Sequence, residues 1–114
     1  MGETTLEVLV VEGDAETRTL LVDVLSGEGL EPRACGTGEE ALELLRGHHF
    51  DAMITDEVVP GITGTELVHR ARRLDATLHC VVLSGYPQPS DTDVAWLRKP
   101  FSLGALLGAL SRPA

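Results

Sequence analysis

Asp51-Ala-Met-Ile-Thr-Asp56-Glu-Val-Val-Pro60-Gly61 is the stretch that decides the fold. It is a short apolar run that ends abruptly on an acid and is followed by a Pro-Gly pair. A run of this length with Met and Ile suits a buried strand. Pro60-Gly61 marks a turn just beyond it. In open parallel sheets, ligands bind outside the carboxyl ends of the strands, which is where this reading puts Asp56. Taken alone, Asp56 is an ordinary loop cap. Only the surrounding chain can raise it above that.

Upstream, Glu7-Val-Leu-Val-Val11 is a continuous apolar run, the mark of a strand buried on both faces. Asp14 is a good N-cap for a helix in which Thr17, Leu20, Leu21, Val24 and Leu25 recur at helical spacing, and Gly27 and Gly29 stop it. Leu30 to Cys35 is a weak strand, and Pro32 confines it to a sheet edge. Thr37-Gly38-Glu39 opens a second helix with Ala41, Leu42, Leu44 and Leu45 on its buried side. Downstream, Leu67, Val68, Ala71 and Leu74 mark a third helix, before which Gly64 is expected to supply an unusual backbone angle. Leu78 to Leu83 is a fourth strand ending on Ser84-Gly85-Tyr86. Pro87 to Asp93 has two prolines and no apolar periodicity, so it is a loop. Val94 to Arg98 is a fifth strand, ending at Lys99-Pro100-Phe101. Ser102 caps a last helix with Leu103, Leu106, Leu107 and Leu110 on one face. Gly104 and Gly108 in that helix suggest close packing or an interface.

Strands alternating with helices predict an α/β fold, a parallel sheet with helices on both faces. Five strands with right-handed crossovers suit the flavodoxin-like, doubly wound order 2-1-3-4-5. That order puts the proline-bearing strand at an edge and the switch point between strands one and three. Glu12, Asp14 and Asp56 are then expected to converge on one cleft, with Ser84 and Lys99 at the ends of strands four and five. Clustered carboxylates repel and need a neutralising charge, for which Mg²⁺ is suited by its hard-oxygen preference. A lysine and a hydroxyl beside them suit a phosphoryl group, and a carboxylate can be the nucleophile that accepts it.

At 114 residues the chain is one domain with room for a core. Its net charge of -9 argues against direct binding to nucleic acid or an anionic membrane. Arg70, Arg72 and Arg73 are expected to solvate a helix face. No apolar run is long enough to span a bilayer, and the N-terminus lacks a signal-peptide pattern, so a cytoplasmic location is expected. Cys35 and Cys80 stand apart without histidines at metal spacing and suit reduced core thiols. His48-His49 lie in a loop and are expected to be solvated.

The pieces Val10-Val11-Glu12, Ile54-Thr55-Asp56 with Pro60-Gly61 and Gly64, Leu83-Ser84-Gly85-Tyr86, and Leu97-Arg98-Lys99-Pro100-Phe101 cover nearly the whole chain. In this order they resemble the response-regulator receiver domain of two-component signalling, here as a single domain over residues 1–114. The resemblance implies that Asp56 accepts phosphate from a phosphohistidine on a histidine kinase or phosphotransfer protein. It implies that Ser84 is the switch hydroxyl, Trp96 the aromatic switch position and Lys99 the site lysine. It further implies a cis Lys99-Pro100 bond, and Mg²⁺ held by Asp56, Glu12 and the backbone carbonyl of Val58.

Two departures stand out. The family carries two consecutive acids after strand one, whereas here Gly13 follows Glu12. Asp14 lies one residue late and is open to either role, helix cap or metal ligand. The interval from Ser84 to Lys99 is also about seven residues short, roughly two helical turns, so the fourth helix should be short or absent. Trp96 can then pack under the Pro87 to Asp93 loop or stand partly exposed.

Gly13 keeps open a second reading, a degenerate receiver that acts as a phosphorylation-independent interaction domain. An aspartyl-nucleophile phosphatase of the haloacid dehalogenase type would need a second Asp where Val58 stands. A flavin binder would need a hydroxyl-rich phosphate loop where Glu12-Gly13-Asp14 would repel a phosphate.

Overall fold

The structure, a computed structural model, describes residues 5–111. Its elements run β1 (Glu7–Val11), α1 (Ala15–Gly27), β2 (Glu31–Cys35), α2 (Gly38–Gly47), β3 (Ala52–Asp56), β4 (Val58–Val59), β5 (Ile62–Thr63), α3 (Gly64–Leu74), β6 (His79–Ser84), β7 (Ala95–Arg98) and α4 (Leu103–Leu110). Five strands form one sheet in the order β2-β1-β3-β6-β7, with every pairing parallel. This is the expected order 2-1-3-4-5, with β6 and β7 as fourth and fifth strands. Proline-bearing β2 is at an edge, where its missing N–H costs no ladder bond.

The sheet has two buried faces, and β1 shows why its sequence is apolar throughout. Leu9 and Val11 pack toward Ala41 and Leu42 of α2 and Leu67, Val68 and Ala71 of α3. Val8 and Val10 pack toward Leu21 and Leu25 of α1 and Leu106 and Leu110 of α4. Alternate side chains thus serve opposite layers, the period-two geometry of a strand covered on both sides.

Each helix begins on a side-chain cap: Asp14, Thr37, Thr63 and Ser102 each accept the backbone N–H three residues on. Several helix faces differ from their expected ones. Thr17 is exposed, and Leu20 is 62% exposed, because α1 turns Leu21 and Leu25 inward. Leu74 and Leu103 lie largely in solvent at the ends of their helices. Gly104 and Gly108 face open space rather than a packed neighbour, so close packing does not explain them.

Gly64 does not take a left-handed angle; the positive-φ residues are Gly29 and Gly61. Its requirement is space, since a Cβ there would sit 2.3 Å from the Asp56 carbonyl oxygen. The sequence reading also missed a hairpin. β4 and β5 pair antiparallel, Val58 with Thr63 and Val59 with Ile62, around Pro60-Gly61. Gly61 has φ +94°, the sign a type II turn needs after a leading proline.

Between β6 and β7 the chain forms no helix, so the fourth helix of the fold is absent. The loop is tied to α3 by an Arg72–Asp93 ion pair at 3.5 Å. Trp96 packs partly buried against the α2–α3 layer that the missing helix would have extended. The histidine loop is less free than expected: His48 Nε2 lies 2.7 Å from Glu7 Oε1, and its ring meets Phe50 edge-on. Cys35 and Cys80 are buried free thiols. No helix among the described residues is long and apolar enough to cross a membrane.

Candidate functional site

Asp56 is the last residue of β3. Its main chain is fixed from two sides, by pairing with Leu83 of β6 and by a hydrogen bond from the Thr55 hydroxyl to its carbonyl at 2.9 Å. The next residue is pinned as well. Glu57 N–H donates to the Leu83 carbonyl, and its carboxylate accepts both the N–H and the hydroxyl of Thr65, at 2.8 and 2.9 Å. Glu57 therefore ties the exit of β3 to the first turn of α3, a role that only the folded chain reveals.

Across the cleft, Lys99 follows β7. Its N–H donates to the Ser84 carbonyl at 2.7 Å, which brings the ends of β6 and β7 side by side. The Lys99-Pro100 bond is cis. Lys99 Nζ reaches Asp56 Oδ1 at 2.5 Å. The contact is ionic rather than an aligned hydrogen bond, and Oδ1 is a buried oxygen with no hydrogen-bond partner. Such an atom carries a desolvation cost until a ligand meets it.

Asp56, Val58, Ser84 and Lys99 line one cavity of about 60 Å³, with Glu57, Leu83, Gly85 and Tyr86 completing its wall. That space holds a small group the size of a few waters, which fits a phosphoryl group and excludes a nucleotide. Larger clefts lie elsewhere, against α2 and at the amino end of the sheet. None of them is lined by the strand ends that carry the acids and the lysine, so the small cavity is the chemical one.

Ser84 is 4% exposed, and its hydroxyl accepts the N–H of Tyr86 at 3.1 Å. The Tyr86 carbonyl in turn accepts the indole N–H of Trp96 at 2.9 Å. Ser84 and Trp96 are thus joined through the two ends of one residue's backbone.

The acids after β1 do not all converge with Asp56. Glu12 follows Val11, which pairs with Thr55, so Glu12 stands beside Asp56 at the ends of adjacent strands. It is 5% exposed, and its Oε2 accepts the Asp14 N–H at 3.0 Å. Its own carbonyl accepts from Arg18 at 2.9 Å. Asp14 turns the other way. One carboxylate oxygen takes both the N–H and the hydroxyl of Thr17, at 2.9 and 2.7 Å, which holds its carboxyl below the usual range. Capping wins because two short bonds to the helix start are available at no burial cost. Among the described residues no three acids, histidines or cysteines form a metal cluster.

The donor set still fits Mg²⁺. Two carboxylates stand side by side, one with an unpartnered buried oxygen, and Mg²⁺ is commonly held by one or two carboxylates while keeping several waters.

A five-stranded doubly wound sheet with a carboxylate, a lysine and a hydroxyl at three strand ends defines a receiver. Residues 8–110 match the response regulator receiver domain, and the chain belongs to that family. It is a module of two-component signalling rather than a conventional enzyme. It is 29% identical to the response regulator receiver protein CpdR of Brucella abortus, over 92% of this chain and 93% of that one. It is 31% identical to part of the sensor kinase CckA of the same organism, covering 87% of this chain and 11% of that protein. It spans a third of a receiver protein from Anaeromyxobacter to which it is 35% identical. Among solved structures, the chemotaxis response regulator CheY4 of Vibrio cholerae superposes with a TM-score of 0.85 at 28% identity, covering 94% of this chain and 97% of that one.

Proposed function

We propose that this receiver accepts a phosphoryl group on Asp56 from the phosphohistidine of a histidine kinase or phosphotransfer protein. The observation that carries the reading is the buried, unpartnered Asp56 Oδ1, set against Lys99 in a cavity of about 60 Å³. In the transfer, one Asp56 oxygen forms the new P–O bond. The P–N bond to the donor imidazole breaks, and its electron pair returns to the ring nitrogen. Asp56 and Glu12, with the Val58 backbone carbonyl, are the residues that would hold Mg²⁺, whose chemistry when bound is to offset phosphoryl charge. Lys99 supplies a second fixed positive charge.

The switch follows from the hydrogen bonds of Ser84. A phosphoryl oxygen on Asp56 is a stronger acceptor than a neutral hydroxyl can replace, so it draws the Ser84 hydroxyl toward itself as a donor. That reorientation weakens the bond from Tyr86 N–H, and the Tyr86 carbonyl holding Trp96 shifts with it. The readout surface is then the loop over residues 85–93 with Trp96, in place of the missing helix.

Incubation with acetyl phosphate and Mg²⁺ should add one phosphate by intact mass, and Asp56→Asn should abolish it. Absence of the adduct, together with unchanged Trp96 fluorescence on adding Mg²⁺ or beryllofluoride, would favour the second reading. That reading is a phosphorylation-independent interaction domain, and the absence of a third acid beside Asp56 and Glu12 is the observation behind it.

A further inference from the structure

Position 13 looks like a ligand position that has lost its acid. The local packing assigns it a different job. A Cβ built on Gly13 would stand 3.1 Å from Pro60 Cδ and 3.7 Å from Pro60 Cγ. The ring of the β4–β5 turn therefore occupies the space a side chain would enter. A second glycine does the same from the other side: a Cβ on Gly38 would stand 3.1 Å from Ile62 Cγ2. The Gly38 N–H also points to the Pro60 carbonyl, at 3.5 Å. The hairpin is thus cradled between the β1–α1 loop and the first turn of α2. Val59, 7% exposed, anchors it in the core, and Gly64 lets its base close against Asp56.

We propose that Gly13 and Gly38 form a seat for the β4–β5 hairpin, and that Gly13 is a positioning residue for Val58 rather than a vacated metal ligand. The hairpin carries Val58, which lines the cavity beside Asp56. Where the hairpin sits sets where the Val58 backbone stands relative to the phosphoryl site. An acid at position 13 begins its side chain against the Pro60 ring and must displace the turn before it can serve the cleft. Loss of the second acid and closure of the hairpin are, in this chain, one structural event. The link to Val58 rests on the phospho-acceptor reading; the seat itself does not.

The test compares Gly13→Asp alone with Gly13→Asp in a Pro60→Ala background, which removes the two nearest atoms. The readouts are amide hydrogen exchange over residues 58–63 and at Gly38, and Mg²⁺ affinity by calorimetry. Gly13→Asp alone should speed exchange in the hairpin, as expected for a segment released from its packing, and should leave Mg²⁺ binding no tighter. In the Pro60→Ala background the added acid should tighten Mg²⁺ by about tenfold or more, the scale at which single groups around a metal act. Gly38→Ala, which touches no acid, should also speed hairpin exchange. Equal tightening of Mg²⁺ with and without Pro60 would overturn the proposal, as would unchanged hairpin exchange in both Gly13→Asp and Gly38→Ala. If the wild-type chain binds no Mg²⁺, the phospho-acceptor reading fails, while the exchange measurements still decide the seat.

Discussion

Replacing Gly64 with alanine drives a methyl group into the backbone that presents the phospho-acceptor. The new Cβ would lie 2.3 Å from the Asp56 carbonyl oxygen and 3.0 Å from both the Asp56 carbonyl carbon and Glu57 Cα. Comfortable contacts between such atoms begin near 3.5 Å, so something must move by roughly 1 Å. Every listed neighbour is main chain, with no flexible side-chain tip to swing aside. Overpacking of this kind costs about 1–3 kcal/mol, and a rigid backbone neighbour argues for the upper end. Alanine returns up to about 1 kcal/mol of helix propensity at the start of α3. The net loss is about 2 kcal/mol, which for a domain of this size lowers Tm by about 8 °C. Thermal unfolding followed by circular dichroism measures it. Gly47→Ala is the matched control: it ends α2 with nothing within 4 Å of the built Cβ, so the same chemistry should raise Tm by about 2 °C. Phosphorylation by acetyl phosphate should slow in Gly64→Ala and not in Gly47→Ala. A Gly64→Ala protein with unchanged or raised Tm would refute the reasoning, because it would mean that the Asp56–Glu57 backbone yields freely.

Phe50→Ala should cost about 3–5 kcal/mol in urea unfolding, since Phe50 is 2% exposed in the α2–α3 layer. Cys35 should resist alkylation in the native protein at neutral pH, because burial pushes its thiol up to about 11; unfolding with urea should make it react at once. The same raised value means that the contribution of Cys35 to stability is complete below pH 9.0, the ordinary thiol value, and is lost as pH rises toward about 11; Cys35→Ala should flatten that part of the stability curve. Asp14 has the opposite sign. Its bonds to Thr17 lower its carboxyl, so the charged cap stabilises α1 above pH 3.8 and is lost as pH falls below it; Asp14→Asn should reduce the acid dependence of the urea midpoint.

Much of the fold can be read along the chain because it rests on local rules. The unbroken apolar run at Val8–Val11 can only be a doubly covered strand, and Pro32 can only sit at an edge. Four hydroxyl or carboxylate caps mark the helix starts. Asp56, Ser84 and Lys99 were legible as site candidates because each ends a strand, and parallel strands in one sheet end on the same side. The ±1-turn ambiguity of helix faces was not legible: Leu20 and Leu21 are adjacent apolar residues, and only the packing of α1 on the sheet selects Leu21.

Around the opening stretch, the amino-acid order alone determined that a strand ends on Asp56 and that a turn follows at Pro60-Gly61. Tertiary structure decided what that turn does. Its ring fills the space beside Gly13, its flank meets Gly38, and Gly64 closes under Asp56, three contacts between residues 3 to 47 positions apart in the chain. Asp14 and Gly13 show the same division. Sequence places an acid and a glycine after β1, but whether each serves the metal, the helix or the hairpin depends on which neighbour arrives within contact distance. That is a property of three-dimensional packing, and no local propensity encodes it.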